Sequence, residues 1–144
     1  MIGEFLEGDA TSGEVTVRAS DPGPITTVFV RRLTDDDWWI VGAVGENIMI
    51  DDPETGDTVE SPLRVAGSAA AFEGTVAVEL RADGNGEPIF EGFVTGSGGP
   101  IPGPFDETFE FASPGDTGGA LVMLSRSPVD DSVVEASTIR IFYS

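Results

Sequence analysis

Two adjacent tryptophans, Trp38 and Trp39, one tyrosine, Tyr143, and two short acidic loops are the groups in this chain best suited to meeting a ligand. Neighbours on a strand face opposite sides of a sheet. One tryptophan is therefore expected to fill the joint between the N-terminal strands and the rest of the chain. The other, with Tyr143, offers a ring for stacking on a sugar or a partner chain. The run Asp51-Asp-Pro-Glu-Thr-Gly-Asp57 places four carboxylates, Asp51, Asp52, Glu54 and Asp57, within seven residues. Calcium takes about six to eight converging oxygens, which makes this run the metal candidate. Its spacing fits no calcium loop, however, and a solvated acidic turn is the simpler expectation. Asp83-Gly-Asn-Gly-Glu87 begins like a calcium loop but lacks the later bidentate glutamate, so it reads as a hairpin turn.

The composition excludes most other chemistry. The 144 residues include 26 acids against seven bases, all arginine, with no Lys, His or Cys, for a net charge of −19. There is no imidazole or thiolate for a nucleophilic triad, a zinc site or a haem ligand, and no lysine for a Schiff base or a phosphate loop. Carboxylate pairs remain, but with 26 acids some pair will satisfy a glycosidase spacing by chance. No catalytic residue and no cofactor is expected. The negative field repels nucleic acid and anionic headgroups and suits a solvated surface in a high-salt habitat. No apolar run is long enough to cross a membrane as a helix, and the first residues lack the basic and apolar regions of a signal peptide.

The elements that must position these residues are strands. Val, Ile and Thr together number 36 against six Leu, a composition that fits a pleated surface. In Thr75–Ala82 the residues Val76, Val78, Leu80 and Ala82 share one face, and Phe105, Phe109 and Phe111 do the same farther on, as in an antiparallel sandwich. Ala120–Leu124 is apolar throughout and reads as a central strand with both faces covered, and Ile139 and Ile141 mark a last strand ending near Tyr143. Gly96–Pro104 reads as a loop crossing between sheets. Ser68–Phe72 reads as a corner. Before residue 46, a strand around Val15–Ala19 and strands at Thr26–Leu33 and Trp38–Val44, the latter two flanking the turn Thr34-Asp-Asp-Asp37, predict a three-stranded extension. Its apolar surface is too small to stand alone. It is expected to pack on the following domain, on a partner chain or on the remainder of a larger N-terminal domain. The strand at Val15–Ala19 is expected to cover a sheet edge of its own sandwich or to pair with a second copy.

From Asn47 onward the chain resembles the Gmad2 family, an immunoglobulin-like domain named for bacterial spore germination. The matching residues are Ile48-Met-Ile-Asp-Asp-Pro53, Ser61-Pro-Leu-Arg-Val-Ala-Gly67, Phe72-Glu-Gly-Thr-Val-Ala-Val78 and Gly118-Gly-Ala-Leu-Val122, with Ser125 and Ser127 beyond. Gly67 and Gly74 are expected to turn around a buried Phe72. The chain departs from the pattern at Asp130-Asp131, where an Asp-Gly turn is expected and no glycine stands. The resemblance implies an all-β, immunoglobulin-like sandwich of seven strands over 47–144 after an extension at 1–46, with the acids outside. It also implies a non-catalytic, extracytoplasmic module of the cell envelope, often set beside other domains, binding a protein or a cell-wall polymer. A carbohydrate-binding or a calcium-binding module is the alternative.

Overall fold

The alternation of β-branched and polar residues folds into twelve strands with no α-helix among the described residues, which are 1–8, 10–33 and 36–144 of a computed structural model. The strands are β1 (Ile2–Glu7), β2 (Ser12–Val17), β3 (Thr26–Arg32), β4 (Trp38–Gly45), β5 (Ile48–Asp52), β6 (Thr58–Val59), β7 (Leu63–Ala69), β8 (Thr75–Ala82), β9 (Phe90–Thr95), β10 (Gly103–Phe109), β11 (Thr117–Arg126) and β12 (Val133–Tyr143).

Eight of them form one continuous sheet in the order β1-β2-β3-β4-β12-β11-β8-β9. A second layer, β5-β7-β10, covers only the β12-β11-β8-β9 half, and short β6 runs parallel to the end of β12. The core lies between these two layers. Val76, Val78 and Leu80 of β8, Leu121 and Met123 of β11 and Ile141 of β12 meet Ile48, Val65 and Phe105 of the opposing layer. As the alternation predicts, Val76, Val78, Leu80 and Ala82 are all buried, and β11 is central, flanked by β8 and β12, but only its inner face is covered by a second layer, so Ala120 and Val122 on the outer face stay half-buried. The loop after β9 crosses between the layers to β10. At the last hairpin Asp131 takes the positive φ (61°) that glycine was expected to supply, while its N–H donates to Ser127 O at 2.9 Å. The Asp130 carboxylate caps the same turn by accepting from the Ser132 hydroxyl at 2.7 Å.

Several details differ from the sequence reading. The extension has four strands, because Ile2–Glu7 also pairs, with β2 as its partner. The strand expected at Val15–Ala19 runs instead over Ser12–Val17. Thr34 and Asp35, at the centre of the expected β3–β4 turn, lie outside the described residues, but Arg32 and Trp38 pair on either side of it. Phe72 is 60% exposed. It sits in a single 3₁₀ turn where Glu73 and Gly74 both have positive φ, so the chain reverses and leaves Phe72 on the outer surface, lining a shallow groove with Ala77 and Leu124. One acid does not stay outside: Glu135 is only 3% exposed.

Candidate binding surface

β3 and β4 pair from Thr26 with Gly45 to Arg32 with Trp38, and this register assigns each extension residue to a face. On one face lie Ile2 and Phe5 of β1, Val15 and Val17 of β2, Val28 and Val30 of β3, and Trp38, Ile40 and Ala43 of β4. That face also carries the polar Glu7, Thr26 and Arg32, and the opposite face carries Glu14, Thr16, Thr27 and Arg31 with Leu6, Phe29, Trp39 and Val44. A sheet buries its dry face against another layer, yet this one is only partly covered: Ala43 is buried and the valines are half-buried, while Phe5 is 46% and Ile40 70% exposed. The total accessible surface, 8235 Å², exceeds by over a thousand the ~7,000 Å² expected of a compact 15 kDa monomer, as a partly covered sheet requires.

This apolar face does not end at the extension. Ala43 pairs with Thr138, Thr138 with Val122, Val122 with Glu79 and Glu79 with Glu91, so one row crosses all eight strands. The row is apolar from Phe5 through Val15 and Val28 to Ala43, and becomes acidic at its far end. It is β4, and not the strand near Val15, that caps the open edge of the sandwich at β12.

β4 and β12 share only the Ala43–Thr138 bridge. At Val41 a bulge interrupts the pairing with β3, and a bulged strand bends. The first half of β4 therefore follows β3 away from β12. The gap is a cleft of about 720 Å³ walled by Leu33, Trp39 and Ile40 on one side and Ile139, Arg140 and Asp83 on the other. Asp83 and Arg140 form a bidentate pair, with Nη1 to Oδ1 at 2.6 Å. The guanidinium beside it holds the Asp83 carboxyl below its ordinary range, and the same contact raises the Arg140 pKa. Arg140 also stacks over the Phe142 ring at 5.4 Å.

The predicted ligand residues are thus dispersed. Trp38 and Trp39 do face opposite sides of the sheet, but neither fills the joint, since they are 39% and 52% exposed. The bend of β4 removes both from β12. Trp38 packs edge-on against Phe5 at 5.1 Å, over Gly13, where any β-carbon would collide with the Phe5 ring. Trp39 stands in the cleft. Tyr143 presents no ring to a ligand. It is buried against Phe111, its hydroxyl donates to Arg81 O at 2.9 Å, and burial pushes its pKa up to about 12. The acidic run 51–57 does not converge either. Asp52 pairs with Arg64 at 3.0 Å, the Asp57 carboxylate accepts the Glu54 N–H at 2.9 Å, and no group of three acids among the described residues is placed to hold a metal ion.

Sequence reasoning missed the seam that ties the extension to the sandwich. The buried Ser137 hydroxyl accepts the Gly45 N–H and donates to Ile48 O, both at 2.7 Å. Glu135, two residues before it on β12, accepts the Asn47 N–H at 3.2 Å. Glu46 accepts the Ile25 N–H at 2.9 Å, and Thr26 Oγ1 accepts the Ala136 N–H at 3.3 Å. The available signal was the inward-facing series Glu135, Ser137, Ile139, Ile141, Tyr143, which turns polar where β12 leaves the core.

A β5-β7-β10 layer packed on β12-β11-β8-β9 with crossing connections makes residues 48–143 an immunoglobulin-like sandwich. The chain belongs to the Gmad2 family: residues 47–132 match the family described as an immunoglobulin-like domain of bacterial spore germination. The match stops one residue short of β12, which completes the sandwich and carries the seam. No curated protein and no solved structure matches the chain. No helix among the described residues is long and apolar enough to cross a membrane.

Proposed function

We propose that the chain is a non-catalytic binding module of the bacterial cell envelope, acting outside the cytoplasm, which docks a partner protein on the apolar face of β1–β4. The observation that carries this reading is the apolar row Phe5, Val15, Val28 with Ile40 beside it, half-buried at its valines and exposed at Phe5 and Ile40, on the surface of a protein of charge −19. Exposed apolar area on this scale marks an interaction site, and the family supports an envelope setting. A photo-reactive residue at Ile40 tests it in envelope preparations. The expected result is one defined protein adduct, lost with Val28→Glu, against none from the same probe at Glu107 on the sandwich. Equal labelling from both positions, or none from Ile40, refutes the reading.

A carbohydrate reading is favoured by one observation, Trp39 standing across a cleft from the bidentate Asp83–Arg140 pair. Stacking plus planar hydrogen bonding is the chemistry of sugar recognition. Quenching of tryptophan fluorescence by soluble peptidoglycan fragments, lost in Trp39→Ala and kept in Trp38→Ala, supports it. An unchanged spectrum at millimolar fragment rejects it.

A further inference from the structure

Glu135 is the one buried acid among the described residues. No arginine among the described residues pairs with it. Its carboxylate lies against the turn joining β4 to β5, where it accepts the Asn47 N–H, and a β-carbon added at Gly45 would lie 3.1 Å from its Oε2. The groups that touch it are neutral or negative, and the one cation in the same groove, Arg18, is held by an acid of its own. Ser125 is its cross-strand partner on β11, and Ser137 follows on β12. The Glu46 carboxylate approaches from the turn, and Arg18, which lines the same groove from the end of β2, is engaged by Asp21 at 3.3 Å.

A buried charge without a counter-charge is costly unless hydrogen bonds compensate, and the group escapes the cost by taking a proton or by reaching water. Here the route to water is short, because β4 meets β12 through the single bridge Ala43–Thr138 and β5 through the single pair Gly45–Ile48, and side chains hold much of the rest of the seam. We propose that Glu135 is a proton-operated latch on this seam: neutral, it keeps extension and sandwich in one rigid sheet, and ionised, it loosens the β4–β5 joint so that the extension moves as a separate arm. This inference does not rest on the identity of any partner. Burial, the largest influence, raises the Glu135 pKa, the Asn47 hydrogen bonds oppose this, and the Glu46 charge adds to the rise. The closed joint therefore binds the proton more tightly than the open one. Its stability is greatest below the ordinary glutamate range and is lost as pH rises through the raised value.

Carboxyl NMR of the intact chain gives the Glu135 midpoint directly, and amide exchange at Gly45 and Asn47, compared at the same pH between wild type and Glu135→Gln, gives the opening. The expected midpoint lies above the ordinary glutamate range. The two proteins should exchange alike at about pH 3, below the ordinary glutamate range. At about pH 8 the wild type should exchange faster, by tenfold for each pH unit of that elevation. Glu46→Gln, which keeps the acceptor for Ile25 and removes the neighbouring charge, should move the midpoint down. A Glu135 midpoint at or below the ordinary range overturns the latch, as do seam amides whose exchange does not differ between wild type and Glu135→Gln at about pH 8. A midpoint unmoved in Glu46→Gln overturns it too, even if Glu135→Gln fails to fold.

Discussion

Replacing Ser137 by alanine isolates the seam, because the hydroxyl serves two backbone groups at once. In the wild type it accepts the Gly45 N–H and donates to Ile48 O, both at 2.7 Å and both buried. The substitution deletes one oxygen and leaves a donor and an acceptor without partners, with little cavity to collapse. Each buried orphan costs about 1–3 kcal/mol. With partial access to water through the neighbouring groove, the total is about 2–4 kcal/mol, a large share of the ~5–15 kcal/mol that holds a domain together. Urea unfolding should show the midpoint falling with an unchanged slope, while Ser113→Ala, on the surface, should stay within about 0.5 kcal/mol. Amide exchange at Gly45 should rise by at least the same free energy. A loss under about 0.5 kcal/mol for Ser137→Ala, or an unchanged Gly45 amide, would refute the assignment of Ser137 as the bolt of this joint.

Leu121→Ala empties the centre of the core between β8 and β12 and should cost about 2–5 kcal/mol in the same unfolding assay. Tyr143, with its pKa raised to about 12, should hold its proton in the fold while the unfolded chain releases its own near 10. Stability should therefore fall by about 2–3 kcal/mol as pH rises from about 10 to about 12, a fall absent from Tyr143→Phe and followed by phenolate absorbance. Millimolar calcium should raise the unfolding temperature no more than sodium chloride of equal ionic strength, because Asp52 and Asp57 already have partners. A calcium-specific rise that Asp51→Asn abolishes would restore a metal role to the 51–57 loop.

The sandwich was legible because its strands repeat one simple rule. Val76, Val78, Leu80 and Ala82 alternate with polar residues, and the same period that identifies the strand also names the face that is buried. The family resemblance needed only local runs such as Ser61–Val78, whose turns and strands lie close in sequence. The candidate site was less legible because its features are relational. β1 escaped notice since Ile2-Gly-Glu-Phe-Leu-Glu7 has no clean alternation, and its bulge between Ile2 and Phe5 breaks the period. The exposure of both tryptophans follows from a bulge at Val41 that no residue type announces. The burial of Tyr143 is not legible from its own segment, because what covers it comes from β11 and β6 on either side of its strand. Glu135 looked like one acid among 26, and only the contact with the β4–β5 turn, 88 residues earlier in sequence, distinguishes it.

Because β4 belongs to the same hydrogen-bonded sheet as β9, the arm inherits a heading. Adjacent strands rotate by about 20–25°, and from the middle of the extension to the β8–β9 edge there are roughly four to five such steps, or about a quarter turn. The greasy end of the row and its carboxylate end therefore look toward different quarters of space. Whatever covered the valines would leave the Glu79–Glu91 end facing another way, nearly at right angles.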